Sequence, residues 1–315
     1  MAFRLRLFKD DTRIDFMGFH KAGLFLAVLL IAATCFFMAT RGLNFGIDFT
    51  GGILMEVRVP AGTKVEDVRA KLGDLKVGRP SIQEFGEDTL MIKIPGREAD
   101  TETQKHIYAE VAAALGDKAE FRRTEYVGPQ VGKELIATGI KAFLYSMIGI
   151  MLYIWARYEW QFGVAGVASL AHDVIATILF FILTGIEFDL STVAAILLVA
   201  GYSVNDTVIV FDRIREKLRK FRKMPLVDVI NLAVNETMSR TLITSSTTLA
   251  VMAVLAIFGG AAIQGFIYAM ILGIIIGTFS SIYVAAPLLI YMNVRSETVN
   301  QNSDAAAEEA AVEKA

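Results

Sequence analysis

The sequence predicts an α-helical polytopic membrane protein: six transmembrane helices, with one small α/β domain between the first and the second. Three observations carry this. Of the 315 residues 54% are hydrophobic and mean hydropathy is +0.50, above the roughly 45–50% apolar usage of a soluble domain. Charged residues are missing from whole stretches, among them 22–40 (AGLFLAVLLIAATCFFMAT) and 241–294. Between these lies a polar segment, 41–133, that reads as short strands and helices. The balance of 31 Lys+Arg against 33 Asp+Glu, net charge -2, excludes a strongly basic nucleic-acid binder and an acidic disordered chain. A single cysteine, Cys35, excludes a disulfide framework and a Cys-based zinc site.

Taken in order, residues 1–21 form an N-terminal arm and 22–40 the first span, since roughly 20 apolar residues cross a hydrocarbon core of about 30 Å. The stretch is longer than the core of a cleaved signal peptide and no small-residue cleavage site follows it, so a retained helix is expected. Residues 134–294 read as a five-helix bundle, with helices near 135–156, 161–186, 189–211, 241–259 and 263–293 and a turn at Gly259-Gly260. Lys and Arg place the termini. Arg4, Arg6, Lys9, Arg13 and Lys21 in the arm, Arg157 in a short loop and the run from Arg213 to Lys223 fall on one side of six spans. Positive residues mark the cytoplasmic side, so both termini are expected in the cytoplasm and 41–133 outside it.

The exported segment reads as a folded domain. ILMEVRVP (53–60) alternates, TKVEDVRAKLGDL (63–75) has helical spacing, and SIQEFG (81–86) and TLMIKIPG (89–96) flank a turn at Glu87-Asp88. TETQKHIYAEVAAALG (101–116) is a second helix opening on a Thr and closing on a Gly, and AEFRRTEYV (119–127) a last strand. The order βαββαβ predicts a ferredoxin-like split βαβ unit. It offers little chemistry: His106 has no His or Cys beside it, so a binding or docking module is expected.

Ionisable side chains inside spans are costly and mark bundle interiors, water paths or partner interfaces. Lys141 lies near a helix end and can snorkel. His172-Asp173 lies about 18 Å into the third helix by rise. Asp206 sits in GYSVNDTVIVFDR (201–213) beside Asn205, Ser203 and Thr207, and Arg240 opens a fifth helix bearing hydroxyls at Thr237, Thr241, Thr244, Ser245 and Thr248. Spacings of three and four put these groups on one side. They suit either a proton relay through held water or a static ion pair that fixes helix register; His172 and Asp173 suit a structural hydrogen bond or a subunit contact. VGKEL (131–135) lacks a P-loop frame, and HExxH and GxSxG are absent, so no nucleotide site, cofactor, metal or catalytic residue is expected.

FGIDFTGG (45–52), VGPQVGKEL (127–135), AHD (171–173), GYSVNDTVIVFDRIRE (201–216) and SRTLITS (239–245) occur in that order. In these motifs the chain resembles the SecD/SecF family, and within it the smaller, SecF-type subunits, over roughly residues 15–295. The family lies in the resistance-nodulation-division superfamily. The resemblance implies pairing with a SecD subunit as a heterodimer in the bacterial inner membrane. It also implies use of the proton-motive force to complete export of preproteins through SecYEG after SecA, with YajC and YidC as further candidate partners. It makes Asp206 and Arg240 the proton-coupling residues, with Asn205 beside them, and implies a transport subunit rather than an enzyme, with no nucleic acid or nucleotide bound.

Two segments keep alternatives open, a hinge or a turn in the first and, in the second, a place on the inner leaflet or a docking site for the translocon. Asp48, Thr50, Gly51 and Gly52 form either a hinge to the exported domain or a tight turn into its first strand. Segment 212–240 is basic and amphipathic and is expected to lie against membrane lipids on the inner leaflet, and 295–315 reads as a disordered cytoplasmic tail. A proton-driven exporter of small molecules or lipids on the same scaffold is the alternative function; it requires a roomy pocket in or beside the exported domain. A purely structural scaffold for SecD is the third, and requires Asp206→Asn to be silent.

Overall fold

The computed structural model describes residues 14–60, 62–73, 80–84, 88–95, 101–116, 118–260 and 263–294. Most of the N-terminal arm, the tail 295–315 and most of the 85–88 turn therefore lie outside the described residues.

Six helices are long and apolar enough to cross a membrane. They are α1 (His20–Thr40), α5 (Pro129–Arg157), α6 (Trp160–Thr184), α7 (Leu190–Lys220), α8 (Leu226–Phe258), and α9 (Gln264–Ser280) continued through a π turn, Ser281–Ala285, into α10 (Ala286–Tyr291). Their boundaries follow local chemistry. Pro129 opens α5, where its missing N–H costs nothing. Asp189 caps α7 by accepting from the Thr192 N–H, and Gly185 ends α6 with φ 67°. Pro287 cannot donate to the carbonyl of Tyr283, and the widened π turn immediately precedes it.

Of the five predicted bundle helices, the first, second and fifth match to within a few residues at most ends, but α7 and α8 are much longer than expected. Residues 212–220 continue α7 and 226–240 open α8, so the basic amphipathic segment is the end of a helical hairpin rather than an element lying along the surface. Its apolar residues Ile214, Leu218, Val229 and Ile230 are buried against Met17, Phe162 and Phe211. Some of its cations are held by acids: Arg213 pairs with Glu216 and Glu236, and Lys217 Nζ donates to Glu236 at 2.7 Å.

The sheet domain lies between α1 and α5. It contains β1 (Gly52–Arg58), α3 (Val65–Gly73), β2 (Ser81–Glu84), β3 (Thr89–Pro95), α4 (Thr101–Leu115) and β4 (Glu120–Val127). The strand order is β2-β3-β1-β4 with every neighbouring pair antiparallel. Alternation sets the core: Ile53, Met55 and Val57 from β1 and Ile92 and Ile94 from β3 pack with Val68, Leu72 and Val111 from the helices. Each such side chain contributes about 1.5–3 kcal/mol when buried, enough for the domain to hold its own core.

Inside the bundle, α6 and α9 are the most enclosed spans and α5 the least. Close approach depends on small residues. A Cβ on Gly273 would lie 2.3 Å from Val199 Cγ2, and one on Gly277 3.2 Å from Ser203 Cβ, so the Gly273-xxx-Gly277 face of α9 seats directly on α7.

Candidate functional site

That close seating brings three helices around one acid. Asp173 on α6 is 0% exposed. Its Oδ2 accepts from Ser203 Oγ of α7 at 2.5 Å and from Ser280 Oγ of α9 at 2.8 Å. His172 Nδ1 lies 3.1 Å from Oδ1, and Thr177 Oγ1 donates to the Asp173 carbonyl at 2.8 Å. The carboxylate is thus the hub of α6, α7 and α9. Ser203 was expected near Asp206; its bond to Asp173, and the part of Ser280, were not legible, because they join residues 30 and 107 positions apart.

One turn along α7 from Ser203, the second acid is placed quite differently. Asp206 is 1% exposed, yet neither carboxylate oxygen has a hydrogen-bond partner. Ser169 Oγ on α6, His172 Nε2 and Thr241 Oγ1 on α8 are also buried and unpartnered. Polar atoms left unsatisfied in an apolar bundle cost free energy unless water or a proton serves them.

The Arg240 charge lies near enough to act on the Asp206 carboxylate, but neither it nor Asn205 bonds to that acid. Arg240 is exposed on α8 and makes no ion pair with Asp206, so the described residues contain no static Asp206–Arg240 bridge. Asn205 is exposed on α7, about a quarter-turn of helix from the Asp206 side chain, and the two do not converge. The α8 hydroxyls do not form a continuous stripe. Thr237, Thr244 and Thr248 donate to carbonyls of their own helix, and Ser245 shares a 2.9 Å hydrogen bond with Thr278 of α9. Thr241 alone of these is buried with an idle hydroxyl. The cause is local: Thr and Ser in a helix bond readily to the carbonyl three or four residues back.

At the sheet end of the bundle, FGIDFTGG forms a short helix, α2 (Ile47–Thr50), and the turn into β1. Gly51 (φ 74°, ψ 163°) and Gly52 (φ 149°) occupy backbone regions that side chains disfavour. Thr50 Oγ1 closes the turn on the Gly46 carbonyl at 3.1 Å. Asp48 Oδ2 accepts from the Leu190 N–H at 2.9 Å, giving the start of α7 a second carboxylate beside Asp189. The Gly46 N–H donates to the Phe188 carbonyl, the Phe188 N–H to Asn44, and Lys93 of β3 pairs with Glu187 at 2.8 Å. A Cβ on Gly132 would lie 2.3 Å from the Phe49 carbonyl oxygen, so the VGPQVGKEL glycine lets α5 rest on this same segment. The motif is a turn, and it is clamped to the α6–α7 loop at several points.

At the other end, Asn231 Oδ1 accepts from the Phe16 N–H at 2.9 Å. Asn235 bonds both the N–H and the carbonyl of Ile14 at 2.8 Å, strapping the entry to α1 onto α8. No group of three or more metal-ligating side chains converges among the described residues.

Six apolar spans, one α/β domain inserted after the first, and two acids buried in the bundle define a polytopic membrane protein. The model "Protein export membrane protein SecD/SecF, C-terminal" matches residues 107–295, and the "SecD/SecF GG Motif" matches 36–59. The chain belongs to the SecD/SecF family, on its SecF branch. It is 42% identical over 289 residues to the protein translocase subunit SecF of Rickettsia felis, covering 90% of this chain and 94% of that one. Identity to the SecF of Desulfurispirillum indicum is 44% over 290 residues, covering 90% and 92%. The solved SecDF of Thermus thermophilus matches with a TM-score of 0.79 at 34% identity, over 91% of this chain. A SecDF structure in a super-membrane-facing form matches less closely, with a TM-score of 0.66 at 34% identity over 96% of this chain. In both cases the chain spans only 40% of the solved one.

Proposed function

We propose that the chain serves protein export as the SecF-type half of a proton-driven assembly in the bacterial inner membrane, with Asp206 the proton-carrying acid. The observation that carries this reading is the Asp206 carboxylate itself, 1% exposed and without a hydrogen-bond partner. A carboxylate so placed is expensive when charged and cheap when neutral. The transmembrane field supplies about 2.3 kcal/mol per charge per 100 mV, enough to bias which form a bistable bundle holds. Arg240 acts as the mobile countercharge, reached when the bundle rearranges rather than bound at rest, and Asn205 lies on the face that the rearrangement works against.

That face points to a companion half. Leu198, Gly201 and Asn205 of α7 and Arg240 of α8 are exposed, and a polar face at membrane depth does not face lipid. A SecD subunit covers it in this reading, consistent with the greater length of the solved SecDF chains. The sheet domain, whose strand order and antiparallel pairing suit a ferredoxin-like unit, is periplasmic, both termini are cytoplasmic, and the substrate is a preprotein leaving SecYEG after SecA-driven movement. The clamp at Asp48 and Glu187 passes motion of α7 to that domain.

One observation favours the small-solute exporter as a second reading. A cavity of about 460 Å³ lies between the sheet domain and the α8–α9 turn, lined by Glu66, Glu84, Ile257, Gln264 and Tyr268 among others. Inverted vesicles holding the chain and its SecD partner test the two. Asp206→Asn and Arg240→Ala should each abolish the proton-dependent phase of preprotein translocation and leave the ATP-driven phase intact. Normal proton-dependent translocation in both variants overturns the relay assignment. Proton-linked solute efflux from liposomes without a channel supports the exporter.

A further inference from the structure

We propose that the cleft between the α5–α6 turn and the end of α7 binds the phosphate of an anionic phospholipid. The cleft has a volume of about 370 Å³ and is lined by Arg157, Asp212, Arg215, Glu216, Arg219 and Lys220. Four cations therefore face two acids in the lining, with a third acid, Glu159, paired to Arg215 behind it, and both lining acids are already engaged. Asp212 accepts from the Tyr158 hydroxyl at 2.7 Å and lies 3.6 Å from Arg157, while Glu216 pairs with Arg213 outside the cleft. Burial, together with the Asp212 carboxylate beside it, pushes the Tyr158 phenol above the usual tyrosine range, so this hydroxyl stays a donor to Asp212.

The cations are less committed. Arg215 donates to the Arg157 carbonyl at 3.1 Å and forms an ion pair with the buried Glu159 at 3.3 Å, though its Nε is buried with no partner. Arg219 makes no hydrogen bond or ion pair among the described residues, and Lys220 has only the Phe221 ring, 5.4 Å away. A cleft with two idle cations and a partly buried arginine is built for a phosphate ester, which supplies several acceptor oxygens and a full negative charge.

The surroundings select a lipid over a soluble phosphate. Trp155 and Trp160 flank the turn and are exposed, as aromatic residues are at a membrane–water boundary. From Trp155 an exposed apolar ridge runs back along α5 through Leu152, Ile148 and Leu144, a path for an acyl chain whose headgroup fills the cleft. Basic pockets at the ends of spans are a known way of holding anionic headgroups.

Native mass spectrometry of the chain, purified with its SecD partner and supplied with phosphatidylglycerol or phosphatidylethanolamine, tests this. Phosphatidylglycerol should be retained in preference, and Arg219→Gln with Lys220→Gln should weaken that retention about 30-fold, two surface charges' worth. Arg122→Gln with Arg123→Gln, which removes equal charge from the sheet domain, should leave it unchanged. Excess inorganic phosphate should fail to displace the lipid. Equal retention in R219Q/K220Q, or equal loss in R122Q/R123Q, overturns the site; displacement by inorganic phosphate overturns the lipid assignment and makes the ligand a soluble phosphate.

Discussion

Asp173 and Asp206 are buried alike, at 0% and 1% exposure, and both neighbour Ser203, yet their surroundings are opposite. Asp173 draws three side chains onto its oxygens, from α6, α7 and α9. Asp206 has none. An acid that collects hydroxyls from several helices fixes their register, because moving any helix orphans a donor. An acid left without partners fixes nothing and can gain or lose a proton without breaking a bond. The same residue type is thus tied to three helices in one place and left without partners in the other, the placement on which the proposed proton-carrying role of Asp206 rests.

The comparison breaks first at the anchor. Asp173→Ala leaves Ser203 and His172 without their acceptor and Ser280 with only the Gly277 carbonyl, and we expect a loss of about 2–4 kcal/mol, measured by denaturant unfolding in detergent. Asp206→Asn should leave the midpoint of the same transition unchanged or higher, since a buried unpaired charge is being removed. If both variants unfold alike, the two acids do not differ as described.

Gly273 sharpens the case for register. Gly273→Ala sets a methyl 2.3 Å from Val199, and overpacking of this kind costs about 1–3 kcal/mol. Val199→Ala should restore most of the loss, a coupling readable in a double-mutant cycle. Gly51→Ala should cost about 1–3 kcal/mol through its φ of 74°, with faster amide exchange confined to β1 and its neighbours. Ser280→Ala removes one of three donors to Asp173 and should cost only about 1 kcal/mol, with export retained.

Much of this was legible in the sequence. The spans follow from charge-free runs, and the βαββαβ order from alternation, because both patterns are local. The lengths of α7 and α8 were not, since their ends beyond the membrane are polar and their buried stripe, with Ile214 and Val229, is shared across the hairpin. Asp206 is visible because an acid in an apolar run stands out alone, whereas the lack of an ion pair with Arg240 and the outward face of Asn205 depend on helix rotation. The role of Asp48 as partner to the α7 N-terminus was hidden for the same reason: its acceptor contact lies 142 residues away.

The most direct test is infrared difference spectroscopy on the carboxyl C=O band as the pH of proteoliposomes containing the SecD partner is changed. The account predicts a buried carboxyl band that titrates in the wild type, disappears in Asp206→Asn and persists in Asp173→Asn. A titrating band that survives Asp206→Asn and vanishes with Asp173→Asn would contradict it, and would make the hub, not its unpartnered neighbour, the proton carrier.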